Sequence, residues 1–245
     1  MYKNFAYLYD ALTDDIDYLK WADFIEKIFK KHKRSPKTIL ELGCGTGSFA
    51  VEMSKRGYEM ICIDLSEDML NCASHKARET NQDILFLNQD MTAFELYGTV
   101  DVVVCLLDSL NYITEDKKLI KTFKLVKNYL NPDGLFIFDV NTPYKFEKIL
   151  ADNLFYQVDD DITYIWNNSY NTKTRKAKFD LTFFVREGEL YRRFDESHIE
   201  RAYYNDEIVN LLGLSGLSFI TSYDDLKFKA PNSKSNRIFY VSKNR

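Results

Sequence analysis

Residues Ile39 to Gly47 read I-L-E-L-G-C-G-T-G, and Met60 to Ser66 read M-I-C-I-D-L-S. The first stretch is a short apolar strand running into three glycines at alternate positions. The second is a strand that ends on an acid. Glycines between a strand and a helix leave bare backbone where a ligand can approach closely, and an acid at the end of the next strand completes what looks like a nucleotide pocket. The glycine spacing decides which nucleotide. A dinucleotide fingerprint is G-x-G-x-x-G, whose third glycine lets the helix pack closely beneath a pyrophosphate. Here the glycines are Gly43, Gly45 and Gly47, position 48 is serine, and no G-K-[ST] follows to make a phosphate loop. The tight turn is present without the phosphate logic. It suits a ligand lacking phosphates, such as a nucleoside that carries an amino acid.

Outward from this stretch the chain alternates strand and helix. Ahead of it, apolar residues from Tyr7 to Lys31 recur at helical spacing (Leu19, Ala22, Ile25, Ile28, Phe29), with Asp14, Asp15 and Asp17 near the start, so one amphipathic helix is expected. F-A-V-E-M-S-K-R-G is a helix stopped by Gly57, and Ser66 caps a second helix after M-I-C-I-D. I-L-F-L-N and D-V-V-V-C-L-L are further strands, the latter apolar enough to be buried on both faces of a parallel sheet. A helix over 115–129 leads through N-P-D-G into the strand L-F-I-F-D-V. Five strand–helix alternations with short connections specify an α/β sandwich wound in both directions, with ligands at the carboxyl ends of its strands.

Beyond about Leu150 the pattern changes to period two. I-T-Y-I-W-N-N-S-Y, A-K-F-D-L-T-F-F-V and E-L-Y-R-R-F-D-E-S-H-I-E-R-A are separated by N-T-K-T and R-E-G-E, which predicts an antiparallel meander. A short helix over 205–212 and a closing antiparallel pair, 219–223 with 237–241, complete the chain.

Composition narrows the function. A chain of 245 residues, 45% hydrophobic, can bury a substantial core. Its net charge of -4, with Lys and Arg spread throughout, argues against nucleic acid as an obligate partner. No stretch approaches the length of a membrane span, and the N-terminus has no basic segment leading into an apolar run, so a cytoplasmic protein is expected. Cys44, Cys62, Cys72 and Cys105 show no C-x-x-C spacing, and His32, His75 and His198 are scattered. Buried free thiols and no metal are expected.

E-L-G-C-G-T-G resembles motif I of the class I S-adenosylmethionine-dependent methyltransferases, and the resemblance extends over nearly the whole chain. It implies a Rossmann-like, doubly wound, seven-stranded sheet carrying the meander as an inserted lid subdomain. The corresponding division is an N-terminal helical lid (1–36), a cofactor-binding core (37–150), the inserted meander (151–204), and a C-terminal helix and strand pair completing the core sheet (205–245). It also implies S-adenosylmethionine as cofactor. Asp64 matches the acid that receives both ribose hydroxyls, a role suited to a carboxylate with two acceptor oxygens. Leu65 and Met69 would flank the adenine, with Asp90 and Met91 at its amino group and ring. Glu41, Gly43, Cys44, Gly45, Gly47 and Leu106 would surround the remainder, and Tyr9 and Trp21 would close over the methionine portion.

Methyl transfer from a sulfonium is an in-line displacement that depends on alignment and exclusion of water, so residue identity says little about the acceptor. N-T-P-Y at Asn141 to Tyr144 follows the fifth strand, not the fourth as in amino methyltransferases of nucleic acids, and L-D-S-L-N-Y after the fourth strand lacks prolines. Base methylation is therefore disfavoured. The segment Y-K-N-F-A-Y-L-Y-D and the inserted meander are similar to the lids of a small-molecule subgroup that includes glycine N-methyltransferase and the N,N-dimethyltransferases of amino sugars. In that alignment Tyr2 and Tyr112 fall near the methyl acceptor, with Tyr112 where the amino-sugar enzymes carry a histidine. Asp108, Ser109 and Asn111 are the other polar groups of that loop. A small-molecule acceptor, with an amine as the candidate group, is the expectation. Alternatives are a protein or nucleic-acid methyltransferase and a non-catalytic cofactor-binding protein. The acceptor's identity, the methylated atom and the oligomeric state are not legible in the sequence.

Overall fold

A computed structural model describes residues 5–13 and 15–244. Two helices, not one, precede the sheet: α1 (Phe5–Leu12) and α2 (Tyr18–Lys31). The break falls where Asp17 leaves helical geometry and caps α2, its carboxylate accepting from the Lys20 N–H at 3.1 Å. Ala22, Ile25, Ile28 and Phe29 are buried as the periodicity predicts, but Leu19 points to solvent at 59% exposure.

The core alternates β1 (Thr38–Leu42), α3 (Ser48–Lys55), β2 (Glu59–Asp64), α4 (Glu67–Glu79), β3 (Ile84–Asn88), β4 (Val100–Cys105), α5 (Asp116–Tyr129) and β5 (Leu130–Asn141). N-P-D-G is not a turn ahead of β5. It lies within the strand as a bulge, with Asp133 at φ +60°, between the pairs Val100↔Leu130 and Val102↔Leu135. The chain then builds a separate antiparallel sheet: β6 (Leu154–Val158), β7 (Ile162–Asn171), β8 (Lys176–Glu187) and β9 (Leu190–Arg201). The meander therefore has four strands; the alternation had marked three, because β6 is short and largely exposed at the sheet edge. Helix α6 (Asn205–Ser215) runs three residues past the expected end, to Gly216 at φ +83°. β10 (Ser218–Asp224) and β11 (Arg237–Lys243) close the core sheet, which has the order β10-β11-β5-β4-β1-β2-β3. β11 is antiparallel to β5, while β5, β4, β1, β2 and β3 are mutually parallel.

Each face of the core sheet is covered by helices. Leu40 and Leu42 of β1 face a cluster with Phe123, Phe136, Phe138 and Tyr240 beneath α5 and α6, whereas Ile39 faces Phe24, Ile25, Met53 and Phe239 beneath α2 and α3. This is the period-two alternation of a strand buried on both sides. Each fully buried ring contributes roughly 1.5–3 kcal/mol of burial free energy, which holds the strand ends rigid where the parallel strands finish. Among the described residues no helix is long and apolar enough to cross a membrane.

Candidate functional site: a cavity between the strand ends and the inserted sheet

The carboxyl ends of β1, β2, β3 and β4 open on one cavity of about 700 Å³. Its first half is made by the core. The glycine turn is tied to the end of β2, because the N–H groups of Gly43 and Cys44 both donate to the Ile63 carbonyl, at 2.8 and 3.1 Å. Gly43 has φ +70°, and a Cβ there would lie 2.9 Å from the Ser109 side chain, so only glycine fits. Gly47 serves the helices instead: at φ +74°, its Cβ would meet that of Ala73 on α4 at 2.8 Å.

Asp64 links the turn to the next helix. Its Oδ2 accepts from the Gly45 N–H and its Oδ1 from the Ser66 N–H, each at 2.8 Å. Burial nevertheless raises its pKa, the backbone donors only partly offsetting the desolvation. The carboxylate lines the cavity beside Leu65, which is 70% exposed, and Met69, which is buried. A large apolar side chain left open at a cavity edge suits a flat apolar ligand group. Asp90 and Met91 line the same wall, with Asp90 Oδ1 accepting from the Thr92 N–H at 2.7 Å.

Tyr9 of α1 and Trp21 of α2 cover this half. Burial, reinforced by Tyr18 and by the carboxylates of Asp108, Asp64 and Asp10, pushes the Tyr9 phenol well above its ordinary range, so it stays neutral. Helix α1 is held down by Asp10, which accepts from Thr46 Oγ1 at 2.6 Å and pairs with Lys76 Nζ at 2.7 Å. Glu41, Cys44 and Leu106 do not line the main cavity. They bound a separate space of about 30 Å³ behind the glycine turn. Burial there, with Asp64 nearby, pushes the Glu41 carboxyl up to about 8, so at neutral pH it is mostly a neutral acid. Gly47 lines neither space, and Tyr2 lies outside the described residues.

The second half comes from the loop after β4 and from the inserted sheet. Leu107 and Asp108 both stand at φ +55°, a conformation costly for residues with a Cβ. Asp139 of β5, fully buried, holds them there by accepting from both backbone N–H groups, at 2.8 and 3.0 Å. Arg237 of β11 ion-pairs with Asp139 and, at 2.8 Å, with Asp108, and its guanidinium lies over the Trp21 ring at 5.3 Å. Asn111 is fully buried and bridges elements instead of facing the cavity: it donates to the Arg201 carbonyl at 2.8 Å and accepts from the Asn141 N–H at 2.9 Å. Ser109 and Tyr112 do line the cavity. Tyr112 is 46% exposed, and its ring meets that of His198 edge-on at 5.8 Å.

Tyr164 and Trp166 of β7 and Phe179 and Leu181 of β8 supply apolar walls, while Lys145, His198 and Glu200 supply polar groups. Sequence reading passed over Asp139, Lys145 and Arg237, and it expected the meander to cover the pocket without naming the residues that line it. A signal existed for part of it. In F-D-E-S-H-I-E-R-A, Glu196, His198 and Glu200 share a period-two face with Phe194 and Ala202, so an inward face carrying three polar groups could have been read off β9.

The arrangement fits S-adenosylmethionine: bare backbone at the turn, a carboxylate for a cis-diol, an open apolar edge for a base, and further cavity beyond for a second molecule. Comparison with known proteins agrees. A methyltransferase-domain family matches residues 39–134. YqeM of Bacillus subtilis, provisionally named a methyltransferase, is 37% identical, with 98% of this chain and 96% of that protein covered. An S-adenosylmethionine-dependent methyltransferase from Clostridium acetobutylicum superimposes with a TM-score of 0.91 at 35% identity, covering 99% and 98% of the two chains. CalS10, an amino pentose methyltransferase from Micromonospora echinaspora solved with S-adenosylmethionine bound, shares the fold at a TM-score of 0.77 and 16% identity, over 97% of each chain. With its glycine turn, its strand-end acid and full-length relatives of this kind, the chain belongs to the S-adenosylmethionine-dependent methyltransferases.

Proposed function

We propose that this methyltransferase acts on a small molecule, at an amine, held between the strand-end loops and the inserted sheet. The observation that carries the reading is the continuity of the cavity: the space beside Asp64 and Leu65 runs under the meander, where Tyr164, Trp166, Phe179 and Leu181 wall it. Its volume lies in the roughly 300–1,000 Å³ range of small-molecule sites, and a second sheet roofs the acceptor end. The amino pentose named for CalS10 is an acceptor of the same kind.

S-adenosylmethionine supplies the activated methyl group. In this reading Asp64 accepts the ribose hydroxyls, Leu65 and Met69 flank the adenine, Asp90 and Met91 meet its edge, and the backbone at Gly43 and Gly45 gives the methionine portion room. Tyr9 and Trp21 exclude water, with Asp10 latching α1 closed as a lid. Tyr112 aligns the acceptor nitrogen by hydrogen bonding, since a phenol with a reference pKa of about 10 is suited to orienting a nucleophile at neutral pH. The role proposed for Tyr2 falls outside the described residues.

The test is transfer of isotopically labelled methyl to a panel of small amines, amino sugars and hydroxy acids, with bulk protein and RNA run alongside. Label on the nitrogen of a small acceptor supports the reading. Label recovered only in protein or RNA overturns it.

A further inference from the structure

Glu200 presents a problem that the cofactor half does not explain. It is 3% exposed, lines the acceptor half of the cavity, and its Oε2 is fully buried without a hydrogen-bond partner. A buried carboxylate oxygen with nothing to accept from costs free energy that a fold normally avoids. The neighbourhood leaves room for a guest: Glu200 borders the same cavity that Trp166, Phe179 and Leu181 wall. Charged groups from three other elements act on Glu200, Asp108 after β4, Lys145 after β5 and Arg237 on β11; the Asn141 side chain hydrogen-bonds the carboxyl, leaving Oε2 as the unmet oxygen, and His198 lies on the same strand face. None of them neutralises it by contact. Arg237 is already bound to Asp139 and Asp108, and Lys145 Nζ donates to Asn141 Oδ1 at 2.9 Å. Burial holds His198 below its ordinary pKa, which favours its neutral form.

We propose that Glu200 receives the acceptor's amine, ion-pairing with the incoming ammonium and taking one of its protons so that the nitrogen lone pair is free to attack. The inference rests on the amine reading above and adds the missing proton acceptor to it. The balance is simple. The ammonium and the carboxylate become a neutral amine and a carboxylic acid. The nitrogen pair then forms the N–C bond as the C–S pair goes to sulfur, giving a methylammonium product, and Glu200 returns its proton to water when product leaves. Burial, with Asp108 adding to it and Lys145 and Arg237 opposing, raises the affinity of Glu200 for that proton, the direction a proton acceptor requires. The apolar walls at Trp166, Phe179 and Leu181 then favour amines that carry an apolar ring or chain.

The test uses the full chain saturated with S-adenosylhomocysteine and matched pairs of probes, phenethylamine with 2-phenylethanol and cyclohexylamine with cyclohexanol, measured by calorimetry from pH 6 to 9. The amine of each pair should bind at least about tenfold more tightly than its alcohol, which is about 1.4 kcal/mol, with the preference fading as pH falls and Glu200 protonates. Glu200→Gln should abolish the preference while leaving S-adenosylhomocysteine affinity unchanged and the fold no less stable, since it removes a buried carboxylate with an unmet oxygen. Glu200→Asp, which keeps a carboxylate set back by one methylene, should retain part of it and serves if the glutamine variant folds poorly. No preference for any amine overturns the proposal. Amines that are methylated equally well by wild type and Glu200→Gln at every pH remove Glu200 from the mechanism while the amine reading stands. Methyl found only on oxygen removes both.

Discussion

The two halves of the cavity are built by different means. The half proposed for the cofactor has its floor at strand ends and turns of one sheet, with backbone amides, glycines and the braced carboxylates of Asp64 and Asp90, and is covered by Tyr9 and Trp21. The acceptor half is assembled from side chains of the loop after β4, the segment after β5, β11 and three strands of the inserted sheet. The first needs local sequence to be right, whereas the second needs four distant segments to arrive together. The bracing of the acceptor half also depends on one group, Arg237, whose two carboxylate partners position the loop that carries Tyr112.

That dependence gives the largest expected effect. Arg237→Leu strands Asp139 and Asp108 without their counter-ion and should lower stability by roughly 3–5 kcal/mol, read by chemical denaturation. A loss below about 1 kcal/mol would mean that the loop does not rely on this bridge. Next comes Glu41 behind the glycine turn. Its carboxyl is held protonated, up to about 8, in the folded chain. A raised carboxyl pKa stabilises below the unfolded value and is lost as pH rises through the folded one. Wild type should therefore lose roughly 2–3 kcal/mol relative to Glu41→Gln between about pH 6 and pH 8, one pKa unit being worth about 1.4 kcal/mol. Parallel stability curves for the two proteins would refute this.

Asp64 sharpens the contrast, because it braces the turn and, in the proposed reading, also holds the ligand. Asp64→Ala should weaken S-adenosylmethionine binding by roughly 1–3 kcal/mol, the cost of leaving polar partners unmet in a closed site, and it should also lower the melting temperature, since the Gly45 and Ser66 N–H groups lose their acceptor. Unchanged affinity by calorimetry would sink the ribose role. The smallest effect is assigned to Tyr112→Phe, with turnover down about tenfold to a hundredfold, or roughly 1.4–2.7 kcal/mol, and cofactor affinity unaltered. If cofactor affinity falls in step with turnover, Tyr112 belongs to the cofactor half and not to the acceptor half.

The sequence by itself determined the chain order of the core strands and helices, the glycine turn, and the acid at the end of β2. Each of these is set by residues within about one turn or strand of one another, so apolar period, capping and glycine placement report them directly. It also located the meander, from period-two alternation, and missed its edge strand, which buries too little to alternate. Only the tertiary structure decided that Glu41 sits behind the turn and not in the main cavity, and that Asn111 bridges β5 and β9. The same is true of Asp139 and Arg237 fixing the loop after β4, and of Glu200 facing the acceptor space. The hydrogen bonds of Asn111, Asp139 and Arg237 join residues 30 to 129 positions apart. A polar residue in a strand carries no local mark of which distant partner it will meet. The partner is chosen when the sheets pack, by the need to satisfy charge that has been taken out of water.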